Sequence, residues 1–282
     1  MLNNLDVTLA CEPDCSLGEC PLWNVAEQKL YFTDIENCKL WRYDPKSKKA
    51  TIFLETDYHI GGFAFNRGGS LILCADNKVL KLYKNLKIET LFEIDLESGE
   101  RFNDITSDPR GRIYAGTAGG KMGTNKLFRL EKGCPPELII SGIKCSNGMT
   151  FSLDEKSFFH VNTFAFTITK YDYDRANGAI ANGRVFFQAD ENMGFPDGLT
   201  MDSAGCIWFA SWGDSLIRRL SPEGEILQDI KVPVKNPSSV NFGGENLDKL
   251  YISSAKDKKL HGGDIYSFNA EVCGRREWLT DF

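Results

Sequence analysis

Four oxygen-bearing side chains stand at one position of a repeated pattern in this 282-residue chain: Glu19, Asn103, Asn147 and Asp197. Asp197 lies in "GFPDGLTMDSAG", between Pro196 and Gly198, directly before an apolar run. Read singly, each of these residues is turn chemistry, because Asp and Asn hydrogen-bond their own backbone. Read together, carboxylates and amide carbonyls form a set of hard oxygen donors that suits Ca²⁺, Mg²⁺ or Mn²⁺. Two crowded carboxylates repel each other, and a divalent cation offsets that cost.

The elements that would position these residues come from an internal repeat. Its copies begin "PLWNVAEQKLYFTDIENCKLWRYDP" at Pro21, "FAFNRGGSLILCADNKVLKLYKN" at Phe63, and "ITSDPRGRIYAGTAGGKMGTNKLFRLEKG" at Ile105. They continue with "MTFSLDEKSFFHVNTFAFTITKYDYD" at Met149, "LTMDSAGCIWFASWGDSLIRRLSPEG" at Leu199 and "VNFGGENLDKLYISSAKDKKLHGGDIYSFNA" at Val240. The second strand of each copy starts near Leu30, Leu71, Ile113, Phe158, Ile207 and Leu250. A period of roughly 40–50 residues is that of β-propeller blades. Turn signals such as "NRGG", "DPRG", "DSAG" and "SPEG" separate short apolar runs, and no long stretch has helical periodicity. The expectation is an all-β protein: a single six-bladed β-propeller of four-stranded antiparallel blades, one domain over residues 1–282. The segment "LDVTLACEP" is expected to pair as a strand with the last blade, near "REWLT", closing the ring.

Aligning the copies on Asn24, Asn66, Asp108, Ser152, Asp202 and Gly243 puts Glu19, Gly61, Asn103, Asn147, Asp197 and Ser238 in register. In a propeller, equivalent positions at the start of the inner strands face one end of the central channel. The donors therefore converge there.

Composition narrows the remaining classes. The net charge of -6, without a Lys/Arg run, argues against nucleic acid or a membrane surface as partner. No apolar stretch approaches the roughly 20 residues of a membrane span. The N-terminus lacks the features of a signal peptide, so the expected location is cytoplasmic, with the nine cysteines reduced. The three histidines, His59, His160 and His261, fall in different repeats; His160 reads as a packed histidine and His59 as a candidate for the channel mouth. "GTAGGKMG" from Gly116 fails the phosphate-loop pattern and reads as a glycine-rich loop over the channel.

Several motifs together resemble the SMP-30/gluconolactonase/luciferin-regenerating family. They are "LGECPLW" from Leu17, "RFNDITSDPRGRIYAGT" from Arg101, "SNGMTFSLDEK" from Ser146, "YDYD" from Tyr171, "FPDGLTMDSAGCIWFASWG" from Phe195 and "FGGENLDKLYISSA" from Phe242. The resemblance implies one divalent metal (Ca, Zn, Mn, Mg or Fe) held by Glu19, Asn147 and Asp197. It also implies substrate contacts from Arg101 and Asn103, and hydrolysis of an aldonolactone to the sugar acid, with Asp197 as candidate catalytic base. The chain departs from the family at Cys20, where Gly is usual, at Ile105-Thr106 after the R-F-N-D motif, and at Lys121, which stands near a substrate-binding Glu of some members. Lys121 is therefore carried as a candidate substrate contact. Rival readings are a phosphotriesterase-like hydrolase on the same site and a non-catalytic calcium-binding propeller. The expected partner is a small sugar lactone, and the expected assembly a monomer or weak homodimer.

Overall fold

The structure is a computed structural model in which residues 5–259 and 261–282 are described. Among the described residues there are six four-stranded antiparallel sheets and two short 3-10 turns. Six four-stranded blades make the fold class a six-bladed β-propeller, as the repeat predicts. Packing divides the chain into two compact units, one running up to His59 and taking in Phe186–Arg276, the other formed by Ile60–Val185 and Glu277–Phe282.

In the first unit, one blade orders β2 (Gly18–Asn24), β3 (Lys29–Asp34), β4 (Lys39–Asp44) and β5 (Lys49–Glu55). A second orders β18 (Phe195–Met201), β19 (Ile207–Trp212), β20 (Leu216–Leu220) and β21 (Ile226–Lys231). The third orders β22 (Asn236–Gly243), β23 (Lys249–Ala255), β24 (Ile265–Asn269) and β1 (Thr8–Cys11). Trp208, Ile217, Val240, Phe242, Leu250 and Ile252 belong to one buried cluster of this unit.

In the second unit the blades are β6 (Ile60–Phe65), β7 (Leu71–Ala75), β8 (Lys78–Leu82) and β9 (Ile88–Glu93); β10 (Glu100–Ser107), β11 (Ile113–Gly119), β12 (Asn125–Leu130) and β13 (Glu137–Ile143); and β14 (Ser146–Phe151), β15 (Ser157–Asn162), β16 (Thr167–Asp174) and β17 (Ala179–Gln188). Phe102, Ile105, Ile113 and Phe128 are buried in one cluster, and Tyr114, Phe151, Phe158 and Tyr173 in another.

Burial falls from the first strand of a blade to the last. All six residues of β14 and all eight of β22 are buried, whereas β9 and β17 are mostly exposed. The sequence follows this gradient: small and polar residues where backbones crowd, continuous apolar runs in second strands, polar residues outside. The turn residues used to align the repeats act as caps. Asp108 Oδ1 accepts from the Arg110 and Arg112 amides, and Asp202 Oδ1 from those of Ala204 and Cys206.

Two expectations are corrected. The N-terminal strand β1 joins the last blade, as expected, but it pairs with β24 (Thr8 opposite Ser267) and not near "REWLT". Residues 277–282 belong instead to the second unit, where Asn66 accepts from the Phe282 amide and donates to its carbonyl. An aromatic-rich strand with alternating burial offered β1 a better edge than the charged "RREW" segment. The second correction concerns "GTAGGKMG": β11 runs through Gly119, so only residues 120–124 form the loop.

Candidate active site

The inner strand of each blade carries one irregularity, and it falls at the aligned position or directly after it. The pairing shifts between Glu19 and Leu22, Ile60 and Gly62, Phe102 and Ile105, Asn147 and Met149, Pro196 and Leu199, and Pro237 and Ser239. A bulge removes a residue from the ladder and re-aims its side chain. Asn103 and Asp197 lie within these gaps, whereas Glu19 and Asn147 are the last paired residues beside them, opposite Thr33 and Val161.

In the first unit Glu19 and Asp197 are both buried, at 9% and 4% exposure. Their strands β2 and β18 both pack on β22. Gly198, just after Asp197, is required there, since a Cβ would sit 2.0 Å from Ser239 Oγ. Beside Glu19, Cys20 has a left-handed backbone with φ of 49°, an uncommon state for a residue with a side chain. That turn brings the Cys20 amide to Glu19 Oε2, to which it donates at 3.3 Å. Glycine, usual in the family the motifs resemble, would take this conformation without strain. The Ser238 hydroxyl, aligned with Asp197, donates to the Gly18 carbonyl and touches Ser253 Oγ at 2.9 Å. It is therefore spent on the backbone of the neighbouring blade.

In the second unit the amides form a directed chain. Arg101 Nη1 donates to Asn103 Oδ1 at 2.9 Å, and to the Phe102 carbonyl. Asn103 Nδ2 donates to Asn147 Oδ1 at 3.1 Å and to the Ser146 carbonyl at 2.9 Å. Asn147 Nδ2 in turn donates to Thr163 Oγ1 at 3.0 Å. An amide nitrogen only donates, so this order fixes which end of Asn147 is oxygen and leaves that oxygen a second lone pair. Arg101 and Asn103, the expected substrate contacts, are joined to each other by that hydrogen bond. Lys121 does not join them: it is exposed in the 120–124 loop, and only its backbone carbonyl is engaged, by Thr124. His59 is half-buried just before β6.

Sequence reasoning missed three groups here. Thr163 orients Asn147 from the 3-10 turn after β15, where nothing in its local sequence marks it. Ser146 Oγ lies 2.7 Å from His160 Nε2, both buried. Burial drives the His160 pKa down to about 4, so the ring is neutral at physiological pH. Half-buried Asp104 is the third. Its pKa is pushed up to about 7 by desolvation, opposed by the hydrogen bond from the Ile105 amide and reinforced by the Glu277 charge. Asp104 directly follows the aligned Asn103 in sequence, but its protonation depends on what surrounds it.

The donor set passes a chemical test for a hard divalent cation. Buried carboxylates require a cation, a proton or hydrogen bonds, and an oriented amide oxygen adds a neutral hard donor. No three His, Cys, Asp or Glu side chains cluster as metal ligands among the described residues. The candidate set has only two members of those types, Glu19 and Asp197, with an asparagine as third. Cys11 and Cys15 are buried thiols whose pKa values rise through desolvation, that of Cys11 to about 12.

Known proteins are similar to this chain over most or nearly all of its length. The chain is 36% identical to a pentonolactonase of Haloferax volcanii, over 98% of this chain and 99% of that protein. It is 33% identical to a 6-deoxy-6-sulfogluconolactonase of Pseudomonas putida, over 86% and 84%. A luciferin-regenerating enzyme superimposes with a TM-score of 0.92 at 26% identity, covering 99% of this chain and 100% of the other. The family described as SMP-30/Gluconolactonase/LRE-like region matches residues 17–256, and the chain belongs to that family.

Proposed function

We propose that this protein is a sugar lactonase that opens an aldonolactone, such as a glucono-, xylono-, arabino- or galactonolactone, with one divalent cation held by Glu19, Asn147 and Asp197. The observation that carries the reading is the directed chain Arg101–Asn103–Asn147, which combines donors for sugar hydroxyls with an amide oxygen of fixed orientation. The pentonolactonase and sulfogluconolactonase relatives support the substrate class.

A cation on these oxygens would supply Lewis acidity, polarising the lactone carbonyl and acidifying a water. The chain's own groups do the rest. The Arg101 guanidinium, held through Nη1 to Asn103 and to the Phe102 carbonyl, is a planar fork of donors of the kind that binds a sugar hydroxyl pair. Asn103, held by Arg101, fixes the ring's position relative to Asn147. Asp197 takes the proton from the attacking water as oxygen adds to the carbonyl carbon. The acyl–oxygen bond of the ring then breaks, the proton passes to the departing ring oxygen, and the product is an open hydroxy acid. A lactone is already activated, so this modest apparatus suffices. A phosphotriester substrate would prefer a more apolar lining than Arg101 and Asn103 offer.

The test is Asp197→Ala and Asn147→Ala assayed on an aldonolactone panel with added Ca²⁺, Mn²⁺, Zn²⁺ or Fe²⁺. Asp197→Ala is expected to lose at least about 100-fold in kcat, the low end of what a general base contributes. Undiminished turnover overturns the assignment. Tight calcium binding by a wild type inert on every lactone favours a binding protein instead.

A further inference from the structure

We infer that Ser238 is a positioning residue for Glu19, acting through the backbone of the neighbouring blade; the inference rests on the reading of Glu19 as a cation ligand. Ser238 is fully buried in the bulge of β22, the strand on which β2 and β18 both pack. Its hydroxyl donates to the carbonyl of Gly18, the residue before Glu19, and its other contact is Ser253 Oγ. The next carbonyl along, that of Glu19 itself, accepts from Thr33 Oγ1 at 3.3 Å. The amide after it, that of Cys20, donates to the Glu19 carboxylate.

The backbone that carries the Glu19 side chain is thus clamped from two directions, by Ser238 of the adjacent blade and by Thr33 of its own. Gly18 permits this approach, because a Cβ there would lie 2.8 Å from the Ser254 carbonyl. Gly198 lets β18 reach the same β22 serines, and a Cβ there would clash with Ser239. One strand therefore sets the position of both carboxylate-bearing segments. Groups that orient metal ligands typically change metal affinity about 10- to 100-fold when removed.

The experiment titrates calcium alone, then manganese alone, into chelator-stripped protein by calorimetry, and records the melting midpoint of each stripped variant. Ser238→Ala is expected to weaken affinity at least about 10-fold, with Ser238→Thr, which keeps the hydroxyl, recovering most of it. Glu19→Gln is expected to abolish binding. If Ser238→Ala binds like wild type while Glu19→Gln does not, or if Ser238→Thr is as weak as Ser238→Ala, the positioning role is overturned. If Glu19→Gln binds like wild type, the cation reading of Glu19 itself fails. Should Ser238→Ala not fold, Ser253→Ala removes the hydroxyl's second partner and is expected to weaken binding severalfold; wild-type affinity there overturns the inference.

Discussion

Asp104 and His160 bend the pH dependence of stability in opposite directions over one range. Asp104 ionises near pH 7 in the folded chain against an ordinary 3.8, so the stability it confers is complete below about pH 4 and is lost as the pH rises to 7. His160 protonates near pH 4 against 6.5, so its contribution is complete above 6.5 and is lost as the pH falls to 4. Urea unfolding between pH 4 and 7 should separate them. Asp104→Asn is expected to remove the loss on the alkaline side, and His160→Gln the loss on the acid side. Variants with the wild-type slope refute the assignment. Cys20 offers a second test at this scale. Cys20→Gly keeps the backbone that serves Glu19 and should leave the melting midpoint and calcium affinity near wild type. Cys20→Val places a β-branched residue at positive φ and should cost about 1–2 kcal/mol.

Between strands, buried charge ties blades together away from the candidate site. Asp108, at the turn from β10 to β11, receives Arg112 Nε at 2.6 Å and the Tyr173 hydroxyl at 2.8 Å. Arg112 reaches on to the Arg175 carbonyl at 2.7 Å, linking this blade to the one that begins with β14. Asp202 has the matching place in the first unit, where Trp208 Nε1 and Arg219 Nε both donate to Oδ2 at 2.9 Å. Taking one partner from such a pair leaves the other charge buried and uncompensated. Asp108→Asn is expected to cost about 3 kcal/mol or more in urea unfolding, with lactone KM unchanged. A loss below about 1 kcal/mol, the worth of a surface ion pair, would refute a structural role.

At the scale of the whole molecule, cation binding and folding are linked. A cation present at a hundred times its dissociation constant stabilises the folded state by about 2.7 kcal/mol. For a chain of this size that raises the melting midpoint by roughly 5 °C. Scanning the protein with a chelator and then with added calcium or manganese measures it, and a midpoint indifferent to both contradicts the proposed ligand set. No helix among the described residues is long and apolar enough to cross a membrane. The free edge of β24 is covered by β1, as an exposed strand edge requires.

The repeat period and the turn residues were enough to foresee the blades, because both are local properties of the chain. Leu71, Ile113 and Ile207 were expected to open second strands and do so. Each aligned position lies in a ladder irregularity or directly before one, since a pattern repeated six times in sequence imposes similar backbones. The register shared by Glu19, Asn147 and Asp197 was legible for that reason, and the motifs supplied the family. What those side chains touch was not legible. Which end of Asn147 faces Asn103, that Ser238 spends its hydroxyl on Gly18, that His160 meets Ser146, and that β24 is the partner of β1 are settled by residues distant in the chain. Hydrogen-bond direction and edge pairing depend on neighbours that only folding brings together, and only the tertiary structure decided them.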